Sequence, residues 1–184
     1  SMLDDAEREL LEQDVDDMQR MLDAFLNFVK GAGEGEPEPV DPHLLIAEIV
    51  DDAKRAGRDV SVAQAEGDGT GMVKLNALTM RRALDNLISN AVRYGAHAEV
   101  SVMLGDKALR IRVEDDGPGI PADRREEATR PFTRLDPSRN QDQGGGVGLG
   151  LAIATDVARA HGGVLRLGSS HRMGGLQADI VIAR

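Results

Sequence analysis

The sequence contains no cysteine and no tryptophan, and only three phenylalanines and one tyrosine among 184 residues. Without cysteine the chain cannot form a disulfide or offer a thiolate to a metal, so we expect it to work in a reducing compartment such as the cytosol. No apolar run approaches the roughly 20 residues of a membrane-spanning helix, and the first residues lack the pattern of a signal peptide. We therefore expect this segment to be soluble by itself.

The charge balance excludes a second class of function. The formal net charge is −10, whereas a nucleic-acid-binding surface needs clustered Lys and Arg. Any polyanion bound by this chain must then be held locally. The length suits one ordinary domain with an appendage, and Ser1-Met2 resembles an expression remnant, which predicts that the chain is a piece of a longer protein.

The first 40 residues differ in pattern from the rest. Apolar residues recur in alternating steps of four and three between about Leu3 and Lys30, which predicts a helix that packs against a partner helix. The alternative is a helix that lies on its own domain. Residues 31–40 are rich in Gly, Glu and Pro and predict a linker. We therefore divide the chain into a helix over 1–30, a linker over 31–40 and a domain over 41–184. The seam residues are Leu11, Val15, Met18, Leu22, Phe25 and Val29.

The domain after the linker predicts an α+β fold. Strand-like segments follow one another as hairpins, and the amphipathic helices have one apolar face each, which is typical of a two-layer α/β sandwich. Asp41 and Asn76 are placed to cap two of the helices. The polar stretch 116–143 predicts a long connection that acts as a mobile lid. The predicted helices are 42–53, 76–94 and 149–160, and the predicted strands are 60–63, 72–75, 99–104, 108–114, 164–167 and 176–182.

Two asparagines indicate a possible binding face on the second of these helices. Asn86 and Asn90 are four residues apart, so their side chains lie on the same side of the helix. A solvated polar face is the simpler interpretation of such a pair. Arg93 and Tyr94 favour binding, because they add a cation and a hydroxyl-bearing ring one turn further on. A carboxamide oxygen can ligate Mg²⁺, and a guanidinium can contact phosphate oxygens.

The segment Asp115-Asp116-Gly117-Pro118-Gly119-Ile120 ends an apolar strand. A buried carboxylate at position 115 would accept a hydrogen bond from the amino group of adenine and repel the carbonyl of guanine. Gly117 and Gly119 permit positive φ and leave space beside a base. Asp116 either starts the turn or holds a water molecule near the ligand. Taken alone, this motif is weak evidence, because glycines after a strand usually mark a turn.

A glycine cluster, Gly144 to Gly150, precedes the last long helix. Backbone N–H groups at a helix N-terminus favour a bound anion. A flexible linker is the competing interpretation, but linkers seldom run directly into a well-patterned apolar helix. We therefore expect the last helix to begin at phosphate groups.

Together these segments resemble the catalytic, ATP-binding domain of bacterial sensor histidine kinases, in the GHKL (Bergerat-fold) ATPase superfamily. The resemblance covers about residue 41 to the C-terminus, and its details are most similar to the EnvZ-like osmosensor group. The helix over 3–30 resembles the second helix of the dimerisation and histidine-phosphotransfer domain. The matching segments are 87–94 for the N box, 115–120 for the G1 box, 131–134 for the F box and 146–150 for the G2 box.

The resemblance implies a role for each matching residue. Asn90 would ligate Mg²⁺ with Asn86 beside the phosphates, Asp115 would bind the adenine amino group, and Phe132 would anchor the lid. Asn86, Asn90 and Arg134 are the implied catalytic residues. The remaining implied contacts to ATP are Arg93, Tyr94, Gly117, Gly119, Ile120, Arg139, Gly146, Val147, Gly148, Leu149 and Gly150.

The implied activity is transfer of the γ-phosphoryl group of Mg·ATP to a histidine. The implied partners are a response regulator and the first dimerisation helix, in a homodimeric parent anchored in the inner membrane. The four histidines, at positions 43, 97, 161 and 171, lie outside the heptad helix and lack the family's acidic residue and Arg-Thr-Pro run. The acceptor is therefore absent, either by truncation or because another polypeptide supplies it.

Two other functions stay open beside the kinase. One is an ATP-sensing or partner-binding module without kinase activity. The other is an ATP-hydrolysing clamp like the gyrase relatives, which carry a glutamate one turn before the metal asparagine. Asn86 occupies that position here, and since a carboxamide cannot take a proton, hydrolysis should be slow.

Overall fold

A computed structural model describes residues 5–30, 35–64, 69–135 and 148–184. Helix α1 (Asp5–Lys30) covers the predicted heptad segment. The six seam residues are all more than 40% exposed, so the chain's own domain leaves most of this apolar stripe uncovered. The exposed stripe favours the prediction of a partner helix over that of a helix lying on its own domain.

Three longer helices form one layer of the domain. They are α2 (Pro42–Arg55), α3 (Ala77–Tyr94) and α5 (Gly150–Ala160), while a short 3₁₀ turn and α4 (Arg125–Ala128) lie between α3 and α5. The predicted caps are confirmed, because the Asp41 carboxylate accepts a hydrogen bond from the backbone N–H of His43 at 2.9 Å and the Asn76 carboxamide from that of Thr79 at 3.2 Å. These caps fix the two helix starts.

The strands form a second layer and a small separate sheet. They are β1 (Glu38–Val40), β2 (Val60–Ala63), β3 (Val73–Leu75), β4 (Ala98–Leu104), β5 (Ala108–Asp115), β6 (Val164–Ser169) and β7 (Leu176–Ala183). The second layer is a five-stranded sheet in the order β2-β4-β5-β7-β6. Its strands pair antiparallel except for the parallel pair β2 and β4. A separate two-stranded sheet joins β1 to β3.

Alternation along the strands separates the two faces of the sheet. Val100, Ile111 and Ile180 are buried beneath the helices. On the other face, the Arg112 guanidinium holds the Asp179 carboxylate through two bonds of 2.7 and 2.9 Å. The two residues are cross-strand partners of β5 and β7, and this ion pair raises the pKa of Arg112. The observed α+β sandwich is the predicted fold.

The structure corrects one boundary and leaves one prediction untested. Residues 38–40, assigned to the linker from sequence, form β1, whose partner β3 lies far along the chain and gives no local signal. Residues 136–147, which include the C-terminal part of the predicted lid and the first half of the glycine cluster, lie outside the described residues. Within the described ranges, no helix is both long enough and apolar enough to cross a membrane.

Candidate functional site

A cleft of about 500 Å³ lies between α3, the ends of β5 and β7, and the start of α5. This volume is within the range of small-molecule sites. Both helices and the sheet contribute to its wall, so the fold itself brings separate sequence motifs together. The residues that were predicted from sequence and line the cleft are Asn86, Asn90, Arg93, Tyr94, Asp115, Gly119, Ile120, Arg134, Gly148, Leu149 and Gly150.

The asparagine pair of α3 faces the first turn of α5. The Asn86 amide Nδ2 donates to the backbone carbonyl of Arg82 at 2.8 Å. This bond fixes the orientation of the Asn86 carboxamide and therefore the position of its Oδ1. A Cβ at Gly150 would lie 2.9 Å from Asn90 Nδ2 and 3.5 Å from Asn86 Oδ1. The two helices therefore meet at a glycine, and the carboxamides lie beside the positive end of the α5 dipole.

Arg93 and Tyr94 line the same cleft at the end of α3. The guanidinium carbon of Arg93 lies 5.9 Å from the centroid of the Tyr94 ring, within cation–π range. Tyr94 is about half exposed. These two residues therefore form a rim that offers a ring face and a cation to a ligand.

Asp115 is buried at the end of β5. Its Oδ1 accepts hydrogen bonds from the backbone N–H groups of Gly117 at 2.9 Å and Leu176 at 3.0 Å. Burial raises the pKa of this carboxyl, the two hydrogen bonds oppose that shift, and the neighbouring Asp116 adds to it. Within the described ranges both donors use Oδ1, which leaves Oδ2 to accept a hydrogen bond from a ligand.

Asp116 serves a different purpose from its neighbour. Its carboxylate is exposed and accepts hydrogen bonds from the backbone N–H groups of His97 at 3.0 Å and Ala96 at 2.7 Å. These bonds lower its pKa. Asp116 therefore links the connection between α3 and β4 to the turn after β5. This favours the interpretation of Asp116 as a turn residue over that of a residue that holds a water molecule.

Residues from either side of the undescribed range 136–147 meet beside the cleft. Gly148 has a φ of +76°, and a Cβ there would lie 2.8 Å from the carbonyl oxygen of Thr133. Phe132 has a φ of +61°, and its ring centroid lies 6.3 Å from that of Phe25 in α1. The backbone next to Phe132 thus packs on Gly148 while its ring contacts α1.

Two residues assigned to ATP from sequence do not line the cleft. Gly117 lies behind the Asp115 carboxylate, to which its N–H donates. Its φ is not positive, and a Cβ there would lie 2.8 Å from the carbonyl oxygen of Tyr94. The ring of Phe132 faces α1 instead. Arg139, Gly146 and Val147 fall outside the described residues.

Sequence reasoning missed the floor and one side of the cleft. Val113, Leu176 and Ala178 line it from β5 and β7. Strand alternation predicts that Val113 faces the helices. Leu176 and Ala178 reach the cleft only because β7 pairs with β5. The remaining residues that line the cleft are Leu87, Ser89, Ala91, Pro118, Pro121, Arg124, Ala128, Thr133, Leu135, Leu151 and Ile153.

The donor set suits Mg²⁺ held together with phosphates. Within the described residues, no group of three or more His, Cys, Asp and Glu side chains could hold a metal alone. Mg²⁺ favours oxygen ligands and commonly combines one or two protein oxygens with phosphate oxygens and water. The carboxamide oxygens of Asn90 and Asn86 fit that arrangement.

Comparison with known proteins identifies the domain. The family model described as "Histidine kinase-, DNA gyrase B-, and HSP90-like ATPase" matches residues 75–182. Sensor histidine kinase GtrS of Pseudomonas aeruginosa is 34% identical over 98% of this chain and 36% of its own length. Sensor protein RstB of Escherichia coli is 33% identical over 90% of this chain and 39% of its own length. The chain thus spans little more than a third of either relative.

Solved structures agree with the sequence matches. The ATP binding domain of PrrB from Mycobacterium tuberculosis aligns with a TM-score of 0.64 and 26% identity, covering 81% of this chain and 98% of that one. The histidine kinase domain of the E. coli osmosensor EnvZ aligns with a TM-score of 0.61 and 33% identity, covering 82% of this chain and 91% of that one. Both the predicted fold and the predicted kinase resemblance are confirmed.

Proposed function

The chain belongs to the family of histidine kinase-, DNA gyrase B- and HSP90-like ATPases, and we propose that it binds Mg·ATP and donates the γ-phosphoryl group to a histidine on another helix. The single observation that carries this proposal is one cleft that joins a buried carboxylate, Asp115, to the asparagine pair and the α5 N-terminus. Each element meets a different part of ATP.

Adenine recognition rests on Asp115. The amino group of the base donates to Oδ2, while the apolar floor formed by Val113 and Ala178 accommodates the ring. The 6-carbonyl of guanine would face the same carboxylate and be repelled. The site therefore selects a purine with a donor at position 6.

Phosphoryl transfer depends on positioning and on charge. Asn90 would hold Mg²⁺, with Asn86 beside it, and the ion when bound would neutralise charge on the triphosphate. The α5 N-terminus and Arg134 contribute further positive potential. The bond between the γ-phosphorus and the bridging oxygen breaks as a phosphorus–nitrogen bond forms at imidazole, ADP leaves, and a carboxylate beside the acceptor histidine takes the imidazole proton.

A hydrolytic clamp is a weaker candidate because the side chain placed to activate water is Asn86. Its amide nitrogen already donates to the carbonyl of Arg82, and a carboxamide has no basic site to take a proton from water. An ATP-sensing module without kinase activity would bind nucleotide but never phosphorylate an acceptor.

We propose that the chain works as part of a longer protein. We assign it a first dimerisation helix with the acceptor histidine, a homodimer built on the exposed seam of α1, and a response regulator that receives the phosphoryl group. The proposed place of this fragment is the cytoplasmic side of an inner-membrane protein.

The decisive test mixes the fragment with radiolabelled ATP and the first dimerisation helix of its parent. We expect acid-labile label on that helix, dependent on Mg²⁺. Asn90→Ala should abolish transfer and reduce ATP affinity in Mg²⁺ to the value measured in EDTA. Asp85→Asn, on the same helix but paired with Arg58, is the control. Tight ATP binding without any transfer would favour the sensing module, and full transfer by Asn90→Ala would contradict the metal assignment.

A further inference from the structure

The turn between β6 and β7 contacts the end of β5 on the sheet face opposite the helices, which we call the outer face. Ser170 is buried, and its Oγ donates to Glu114 Oε1 at 2.7 Å. Arg172 Nη2 lies 3.1 Å from Glu114 Oε2 and also pairs with Glu99 of β4. Glu114 is itself only 6% exposed, so these two residues compensate a buried carboxylate.

The same turn reaches the adjacent residue, Asp115, through its backbone. The N–H of Gly175 donates to the Asp115 carbonyl at 3.0 Å, and the N–H of Leu176 donates to Asp115 Oδ1 at 3.0 Å. A Cβ at Gly175 would lie 2.1 Å from that Oδ1. The backbone of the turn therefore touches the carboxylate that faces the cleft.

Glu114 and Asp115 are consecutive in a strand, so their side chains point to opposite faces. The turn binds Glu114 from the outer face by side chains and Asp115 by main chain. Displacing the turn on the outer face must move the Leu176 N–H, because only residues 173–175 separate it from Arg172.

We propose that Ser170, Arg172 and Glu114 are positioning residues for adenine recognition, which hold the 170–175 turn so that Asp115 presents Oδ2 to the base. The inference rests on the proposed function and deepens it. None of the three residues lines the cleft. They act through the Leu176 N–H, which fixes the rotamer of Asp115.

The test compares ATP with purine riboside 5′-triphosphate, which has hydrogen in place of the adenine amino group. Calorimetry on the 184-residue chain gives the ratio of the two dissociation constants. We expect the wild type to prefer ATP by about tenfold or more, the value of a hydrogen bond to a charged group. Ser170→Ala and Arg172→Gln should reduce the ratio toward one, with affinity for the analogue changed by less than about twofold.

The controls separate positioning from general stability. Arg166→Gln removes an exposed arginine from neighbouring β6 and should keep the wild-type ratio. Arg172→Lys, which keeps a cation for Glu114, should retain most of the preference. If Arg172→Gln fails to fold, the affinity ratio of Ser170→Ala tests the proposal by itself, because that substitution removes only one neutral hydroxyl group.

Three results would overturn the proposal. Both variants could keep the wild-type ratio, or they could weaken both ligands equally with a lower melting temperature, which is the signature of a merely structural role. A wild type that binds both ligands equally would remove the base-reading role of Asp115 as well. The first two results leave the proposed function intact, and the third does not.

Discussion

The ring of His161, at the end of α5, accepts a hydrogen bond from the backbone N–H of Asn76, the residue that caps α3, over 3.0 Å. Its other nitrogen, Nδ1, lies 2.8 Å from the carbonyl of Val157 and must therefore donate. One imidazole thus joins the end of one cleft helix to the start of the other, and its neighbours fix its tautomer.

His161→Ala should destabilise the fold without altering base preference. The Asn76 N–H loses its acceptor, which costs about 1 kcal/mol in the free energy of unfolding. Chemical denaturation measures the loss, and Asp156→Ala, an exposed substitution on the same helix, serves as control. A changed ratio of affinities for ATP and the amino-free analogue would contradict this purely structural role.

Asp115→Asn should weaken ATP binding strongly and favour ITP, because an amide donor would then face the purine 6-position. It should also change the pH dependence of stability. The native pKa of Asp115 is raised above its ordinary value of 3.8, so its contribution to stability is present below that value and is lost as pH rises through the native pKa. The wild type should thus lose stability relative to the variant across that interval, in denaturation curves taken at successive pH values. Equal pH profiles would contradict the effect of burial.

Asp116→Asn should change the pH dependence of stability in the opposite direction from Asp115→Asn. The pKa of Asp116 is lowered by hydrogen bonds from the backbone of His97 and Ala96. Its contribution is therefore present above 3.8 and is lost as pH falls through the native pKa. The same denaturation series should show the variant less stable than the wild type at neutral pH and converging with it in acid, with ATP preference retained. Loss of ATP preference would instead restore the water-holding interpretation.

Gly175→Ala should abolish ATP preference, because its Cβ would collide with Asp115 Oδ1 at 2.1 Å. Gly174→Ala is the matched control. It adds a Cβ to open space at a φ of +91°, and so should cost about 1–2 kcal/mol of backbone strain while the preference persists. Calorimetry and thermal unfolding of both variants distinguish collision from strain. Equal effects of the two substitutions would contradict the close contact.

Sequence reasoning found the parts of the site that local spacing determines. Asn86 and Asn90 share a helix face because they are four residues apart, and Asp115 directly follows an alternating segment that predicts a strand. Leu176 donates to Asp115 from 61 residues away, and nothing near either residue indicates the register that joins them. Strand β1 was missed for the same reason, since its three residues are defined by a distant partner.

Nucleotide binding also depends on the correct register between β5 and β7. Glu114 lies opposite Gln177 and Arg112 opposite Asp179, and a slip by one residue would turn every side chain of β7 to the wrong face. Such a mispaired chain would lose the donor that orients position 115. ATP should therefore bind only the correctly paired molecules in a refolding mixture and enrich them by mass action.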